Sequence, residues 1–227
     1  MLRIAKIAAI GLGLLVGGCS EEKVSARRVD GAVGREAKAP EFDFYVLALS
    51  WSPSYCAIAG ARADRQQCEA RTPHGFVVHG LWPQFEGGSP EYCDTGERSV
   101  PSRIADDLID IMPSRSLVNH QWRKHGSCSG LSRDDYFNAT RAARERIRIP
   151  AAFSNPARAQ RLAPDALEDA FRASNPGLRR DAIAVSCDGE IIREVRICFD
   201  TDLEFRACPE IDRRGCRSGQ RLMPGAG

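Results

Sequence analysis

The chain has 227 residues, 32 Lys and Arg against 30 Asp and Glu, and an apolar fraction of 43%. That is enough for one domain of ordinary size with a real core, and the composition is globular rather than disordered. A net charge of +2 excludes a polycation that holds nucleic acid by bulk electrostatics, so any such contact must be made at a local site.

The first segment reads as a targeting signal. Arg3 and Lys6 open the chain, and Ile7 to Val16 is an apolar run of secretory length, too short to span a bilayer convincingly. It ends in Val16-Gly17-Gly18-Cys19-Ser20, which resembles the bacterial lipoprotein box, where Cys19 becomes the lipidated first residue. An ordinary signal peptide cleaved nearby is the plainer reading. An acyl anchor would tether the domain to a membrane without spanning it. Removing residues 1–18 takes away two basic side chains and no acidic one, leaving a chain close to neutral. Residues 19–40 are polar, small and charged up to Pro40, and are expected to form a flexible tether. A single folded domain is expected over residues 41–220.

Residues 42–51, Phe-Asp-Phe-Tyr-Val-Leu-Ala-Leu-Ser-Trp, alternate large side chains and predict a buried strand. Residues 52–75 hold Pro, Gly and two cysteines and are expected to be a disulfide-closed loop. Phe76 to His79 predicts a short strand with His79 at its end, before a Gly-Leu-Trp-Pro turn. Residues 85–100 read as loop. Ser102 to Met112 has helical spacing with Ser102 as N-cap. Leu117 to His125 predicts a helix closed by Gly126. Ser132 opens a helix to about Ile147, and Pro164 to Arg172 forms another. Arg141, Arg144, Arg146 and Arg148 fall at helical spacing and are expected to be a solvated face. Ala182 to Ser186, Glu190 to Phe199 and Leu203 to Ala207 predict strands joined by tight turns. The order predicts an α+β domain: a largely antiparallel central sheet flanked by helices.

Nine cysteines are present. Apart from Cys19 they are Cys56, Cys68, Cys93, Cys128, Cys187, Cys198, Cys208 and Cys216. An even set behind an export signal predicts four disulfides. Eight cysteines admit on the order of a hundred pairings, and sequence alone does not choose among them. No Cys-x-x-Cys pair occurs, which weakens a zinc reading.

Two segments carry the chemistry. One is Phe76-Val77-Val78-His79-Gly80-Leu81-Trp82-Pro83-Gln84. The other is Asn119-His120-Gln121-Trp122-Arg123-Lys124-His125-Gly126-Ser127-Cys128. RNA carries its own nucleophile, the 2′-hydroxyl, beside each phosphodiester. An enzyme that uses it needs a general base, a general acid and a cation at the phosphoryl oxygens. Imidazole, with an ordinary pKa of about 6.5, suits both proton roles. On a helix Gln121, Lys124 and His125 share a face, and His120 borders it. His79 would then act from the opposite side. The plainer readings are a structural histidine, core tryptophans at 82 and 122, and a surface lysine. A metal site from His79, His120 and His125 has no carboxylate at ligand spacing, so no metal or other cofactor is expected.

The two segments resemble the catalytic segments of the ribonuclease T-two family. The opening strand with Pro53 and Cys56, and Glu194 to Asp200 with Cys208-Pro209, extend the likeness over roughly residues 42–216. The resemblance implies a metal-independent endoribonuclease of low base specificity acting on single-stranded RNA. It implies His125 as general base, His79 as general acid, Lys124 at the charge of the phosphorane, His120 on phosphate and Trp82 stacked on a base. It also implies the pairs Cys93–Cys128, Cys198–Cys208 and Cys187–Cys216, which leaves Cys56 for Cys68. The family usually has glutamate at the position of Gln121. Glutamine cannot ionise, but its amide can still donate to a phosphoryl oxygen, so an active enzyme with a different pH optimum or a lower rate is expected. Two competing functions are an RNA-binding protein that has lost turnover, favoured by Gln121, and a lipid-anchored envelope module. The second leaves the histidine segments unexplained. A monomer in the bacterial envelope or periplasm, or secreted, is expected.

Overall fold

A computed structural model describes residues 41–226. The signal segment, Cys19 and the tether lie outside the described residues. The central sheet is built on β1 (Phe44–Trp51), β2 (Phe76–Gln84), β4 (Ile183–Asp188) and β5 (Ile191–Phe199). β1 lies between β2 and β5, β4 pairs with the other edge of β5, and all three ladders are antiparallel. A short ladder of β3 (Gln160–Leu162) and β6 (Arg221–Met223) joins the sheet where β6 meets Ile191 of β5.

β1 is buried along its whole length, so both of its faces are covered. Tyr45, Leu47, Leu49 and Trp51 enter the main core with residues of the helices, among them Val118, Trp122, Tyr136 and Phe171. Phe44 and Val46 point the other way, into a smaller cluster with Cys198, Cys208 and Ile211, against which Trp82 packs. Three longer helices flank the sheet: α4 (Arg115–Lys124), α5 (Arg133–Glu145) and α6 (Pro164–Ser174). Shorter ones are α1 (Ser52–Ala59), α2 (Arg65–Cys68), α3 (Ser102–Asp107) and α7 (Pro209–Arg213). Tyr136 on α5 donates its hydroxyl to Leu81 O at 2.7 Å, tying that helix to β2.

Several elements differ from expectation. Residues 52–75 contain two short helices and not only loop, because Pro53 sits in the first turn of α1, where a missing N–H costs nothing. β2 does not stop at His79 but runs on through Gly-Leu-Trp-Pro-Gln, and Pro83 is tolerated because β2 is an edge strand. α3 is shorter than expected. Pro101 precedes it as the cap, Ser102 is already helical, and Leu108 to Met112 follow as turns. The helix ahead of Gly126 is closed by His125 itself, at φ −124°, and Gly126 begins a 3-10 turn. Leu203 to Ala207 is not a strand. Leu203 takes φ 61°, and Phe205 makes an isolated bridge to Phe199.

Disulfides join Cys56 to Cys68, Cys93 to Cys128, Cys187 to Cys216 and Cys198 to Cys208. Of Arg141, Arg144, Arg146 and Arg148, in and just after α5, the first three are engaged within the protein. Arg141 pairs with Asp110, Arg146 with Glu204, and Arg144 donates to Ile147 O. Among the described residues no helix is long and apolar enough to cross a membrane.

Candidate active site

His79 reaches the site through an irregularity in the sheet. Ala48 pairs with Gly80 and Leu49 with Val78, so His79 is an extra residue on β2 with no partner on β1. Such a bulge re-aims a side chain and frees backbone groups. Val78 N accordingly bonds Ile111 O at 2.8 Å, outside the ladder. The bulge sends the His79 ring toward β5, where Nδ1 lies 2.9 Å from Glu194 Oε2. Glu194 is only 1% exposed. Its other oxygen takes two bonds from Arg196, at 2.9 Å from Nε and 2.7 Å from Nη2. Burial alone would raise the Glu194 carboxyl, but the His79 hydrogen bond and the charges of His79 and Arg196 outweigh it and hold it at about 2.

The second segment arrives on α4. Ser114 caps the helix, its hydroxyl accepting from Leu117 N at 3.1 Å and donating to Asp64 at 2.6 Å. Trp122 anchors it in the core and donates to Glu97 O at 2.7 Å. Gln121 is buried, and its Oε1 accepts from Trp82 Nε1 at 2.8 Å. Lys124 is the last helical residue, with Nζ 3.2 Å from Glu91. His125 follows as the cap, 6% exposed, with Nδ1 buried and unpartnered. Burial first, then Lys124, His79 and His120, push His125 down to about 3. His120 is lowered too, by burial and then by Lys124, Arg123 and His79, with Glu91 opposing.

Trp82 packs against both histidines. Its ring centroid is 5.3 Å from that of His125, and 5.3 Å from that of His79, which it meets edge-on. The Arg196 guanidinium lies 5.5 Å over the same ring. A pocket of about 290 Å³ opens beside them, lined by His79, His120, Arg193, Ser50 and Leu117 among others. The structure therefore gathers His79, Trp82, His120, Gln121, Lys124 and His125. His74 lies apart, on a pocket with Ser52 and Pro224. Among the described residues no group of three or more His, Cys, Asp or Glu is arranged to hold a metal ion.

Sequence reasoning passed over Glu194 and Arg196. The one available signal is the spacing of an acid and a base two residues apart on β5, next to the apolar Ile192, Val195 and Ile197. Chemically the arrangement offers a neutral buried imidazole, a second imidazole bound to a carboxylate, and an ammonium at the rim. Such a set can take a proton, give a proton and hold an anion between.

The Ribonuclease T2 family model matches residues 42–208. A ribonuclease from Aeromonas hydrophila is 38% identical over 175 residues, covering 75% of this chain and 78% of that protein. A probable ribonuclease from Haemophilus influenzae is 30% identical, covering 78% of this chain and 64% of that protein. Among solved structures, an RNase-related protein from Calystegia sepium superposes with a TM-score of 0.65 at 24% identity, over 83% of this chain and all of that one. RNase NT in complex with 5′-AMP gives a TM-score of 0.59 at 25% identity, over 83% of this chain and 100% of that one.

Proposed function

The chain belongs to the ribonuclease T2 family and is an endoribonuclease, and on that basis we propose that it cuts RNA by metal-independent transesterification, with two histidines dividing the proton traffic. His125 takes the proton from the 2′-hydroxyl as that oxygen bonds to phosphorus. His79 gives a proton to the 5′-oxygen as its bond to phosphorus breaks. The products are a 2′,3′-cyclic phosphate and a free 5′-hydroxyl. Water then opens the cyclic phosphate to a 3′-phosphate, with the two roles exchanged. Lys124 and His120 hold the phosphoryl oxygens, and Trp82 offers its half-buried ring to a base. Gln121 fixes the Trp82 indole through its Oε1, which leaves its amide nitrogen as a donor for a phosphoryl oxygen.

The observation that carries this reading is the packing of His79 and His125 against the same Trp82 ring, each centroid 5.3 Å from it, with Lys124 next to His125. Burial, then Lys124, His79 and His120, push His125 down to about 3, so the empty site holds it unprotonated, as a base must be, and the negative charge of a bound phosphate raises its hold on the proton it takes. RNase NT holds 5′-AMP, the kind of fragment such a site receives. Single-stranded RNA is the preferred substrate, with low base specificity. Residues 1–18 act as an export signal, Cys19 carries a lipid, and the domain works as a monomer in the bacterial envelope or periplasm. Its four disulfides fit an oxidising compartment.

The test is cleavage of a dinucleotide in excess EDTA by the wild type, His79→Ala and His125→Ala. Each variant is expected to lose about 10²- to 10⁴-fold in rate, the usual worth of one proton-transfer group. Full activity in either variant refutes the assignment, and activity abolished by EDTA refutes the metal-independent route. No cleavage by the wild type points instead to an RNA-binding protein.

A further inference from the structure

We propose that Glu194 is the positioning residue of His79: its carboxylate takes the Nδ1–H and leaves Nε2 as the nitrogen that delivers the proton to the leaving oxygen. This rests on the reading of His79 as general acid. A carboxylate buried to 1% exposure is costly unless both oxygens are engaged. Here Oε1 is taken up by the Arg196 fork and Oε2 by His79. With Oε1 occupied, Oε2 is free to hold the imidazole, and a carboxylate at Nδ1 fixes the tautomer.

The base of this contact is rigid. Glu194 sits mid-strand on β5, opposite Ser50 of β1 and Ser186 of β4, with ladders on both sides. The ring it holds comes from the β2 bulge, which without such a partner would leave His79 free to turn. The titratable groups around His79 are otherwise mostly basic, the further carboxylate being Glu91, ion-paired with Lys124. Arg193 and Arg196 come from β5, His120 from α4, Lys124 and His125 from its end, and Tyr55 from α1. Glu194 is the carboxylate bonded to His79 within that cationic surround. Arg196, held by Glu194, lies over Trp82, so the same carboxylate also steadies the ring that both histidines pack against.

The test compares two substrates and three proteins: wild type, Glu194→Gln and His79→Ala. The dinucleotide ApU has a poor leaving group that needs a proton. The nitrophenyl ester of uridine 3′-phosphate has a leaving group that departs without one. Glu194→Gln is expected to cost about 10²-fold on ApU and only a few-fold on the nitrophenyl ester. The alkaline limb of its kcat/KM profile moves to lower pH by about one unit, while the acidic limb stays in place. If His79→Ala is impaired on ApU but Glu194→Gln shows an unmoved limb and equal loss on both substrates, Glu194 is merely structural and the proposal is overturned. If His79→Ala is unimpaired on ApU, the general-acid reading itself falls. Should Glu194→Gln not fold, ring ¹⁵N shifts of wild-type His79 decide the matter. A neutral ring protonated on Nδ1 supports the proposal, and one protonated on Nε2 overturns it.

Discussion

Gln121 shows how one atom can keep half of a residue's work. Its Oε1 receives the Trp82 indole N–H, a bond that a carboxylate oxygen would make equally well. What glutamine lacks is the negative charge near His125, which burial first, then Lys124, His79 and His120, lower to about 3. Gln121→Glu should therefore keep Trp82 in place and strengthen the hold of His125 on its proton. A base must be unprotonated to act, so the acidic limb of the profile should move to higher pH, by about one unit. Above that limb the rate should stay within a few-fold of the parent, as a pH series of kcat/KM on ApU would show. A loss at every pH would mean that the glutamine amide does more than replace a carboxylate. Gly80 belongs to the same contact. A Cβ there would run into Gln121 Oε1 and Trp82 Nε1, so Gly80→Ala should break the Trp82–Gln121 bond and reduce turnover.

The two elements that deliver the histidines use opposite devices. β2 inserts a residue, and α4 ends on one. At the end of α4 the chain turns at Gly126, where a Cβ would come within 2.6 Å of Trp122 Cε3 and 2.7 Å of Tyr136 Cε1. Neither buried ring can yield cheaply, so Gly126→Ala should cost about 1–3 kcal/mol, read as a lowered urea midpoint. The glycine is there for close packing and not for a left-handed cap. That distinction was invisible in the sequence, where Lys-His-Gly at a helix end reads as an ordinary stop. The starts of the four longer strands and the three longer helices were legible, because Phe76-Val77-Val78 and the spacing of residues 133–147 depend on local pattern. The continuation of β2 was not, since His-Gly-Leu-Trp-Pro looks like a turn until the pairing of Leu81 with Leu47 is seen. The bulge at His79 is likewise a property of two strands, not of one. Glu194 was illegible for the same reason. A charged residue in a strand reads as its solvent face, and its partner His79 lies 115 positions away. The histidines and Lys124, by contrast, stood in short runs that could be read directly.

Taken as one unit, the domain has a pH-dependent stability set by a few buried groups. Glu168 is held high, at about 7, chiefly by burial, with a bond from Val185 N at 3.0 Å opposing. A carboxyl raised above its ordinary 4.5 stabilises the fold most below that pH and loses the contribution as pH rises through about 7. Glu194 and His125 have the opposite sign. Glu194 loses its contribution as pH falls from 4.5 through about 2, and His125 as pH falls from 6.5 toward about 3. Glu168→Gln, which keeps an acceptor for Val185, should raise the melting temperature in alkaline buffer and leave it little changed in acid. A gain of equal size at both ends would remove the carboxyl from the explanation. The Cys93–Cys128 bridge closes a 35-residue span and pins the chain just after Glu91 to the turn that follows α4, and opening it should cost about 3–4 kcal/mol. All of this frames a site whose nucleophile comes from the substrate. The decisive measurement is digestion of ApU and of its 2′-deoxy analogue, side by side, in excess EDTA. The expected result is a 2′,3′-cyclic phosphate that forms first from ApU and decays to the 3′-phosphate, with the deoxy analogue left intact. Cleavage of the deoxy analogue, or 3′-phosphate formed from ApU with no cyclic intermediate, would contradict the two-histidine transesterification.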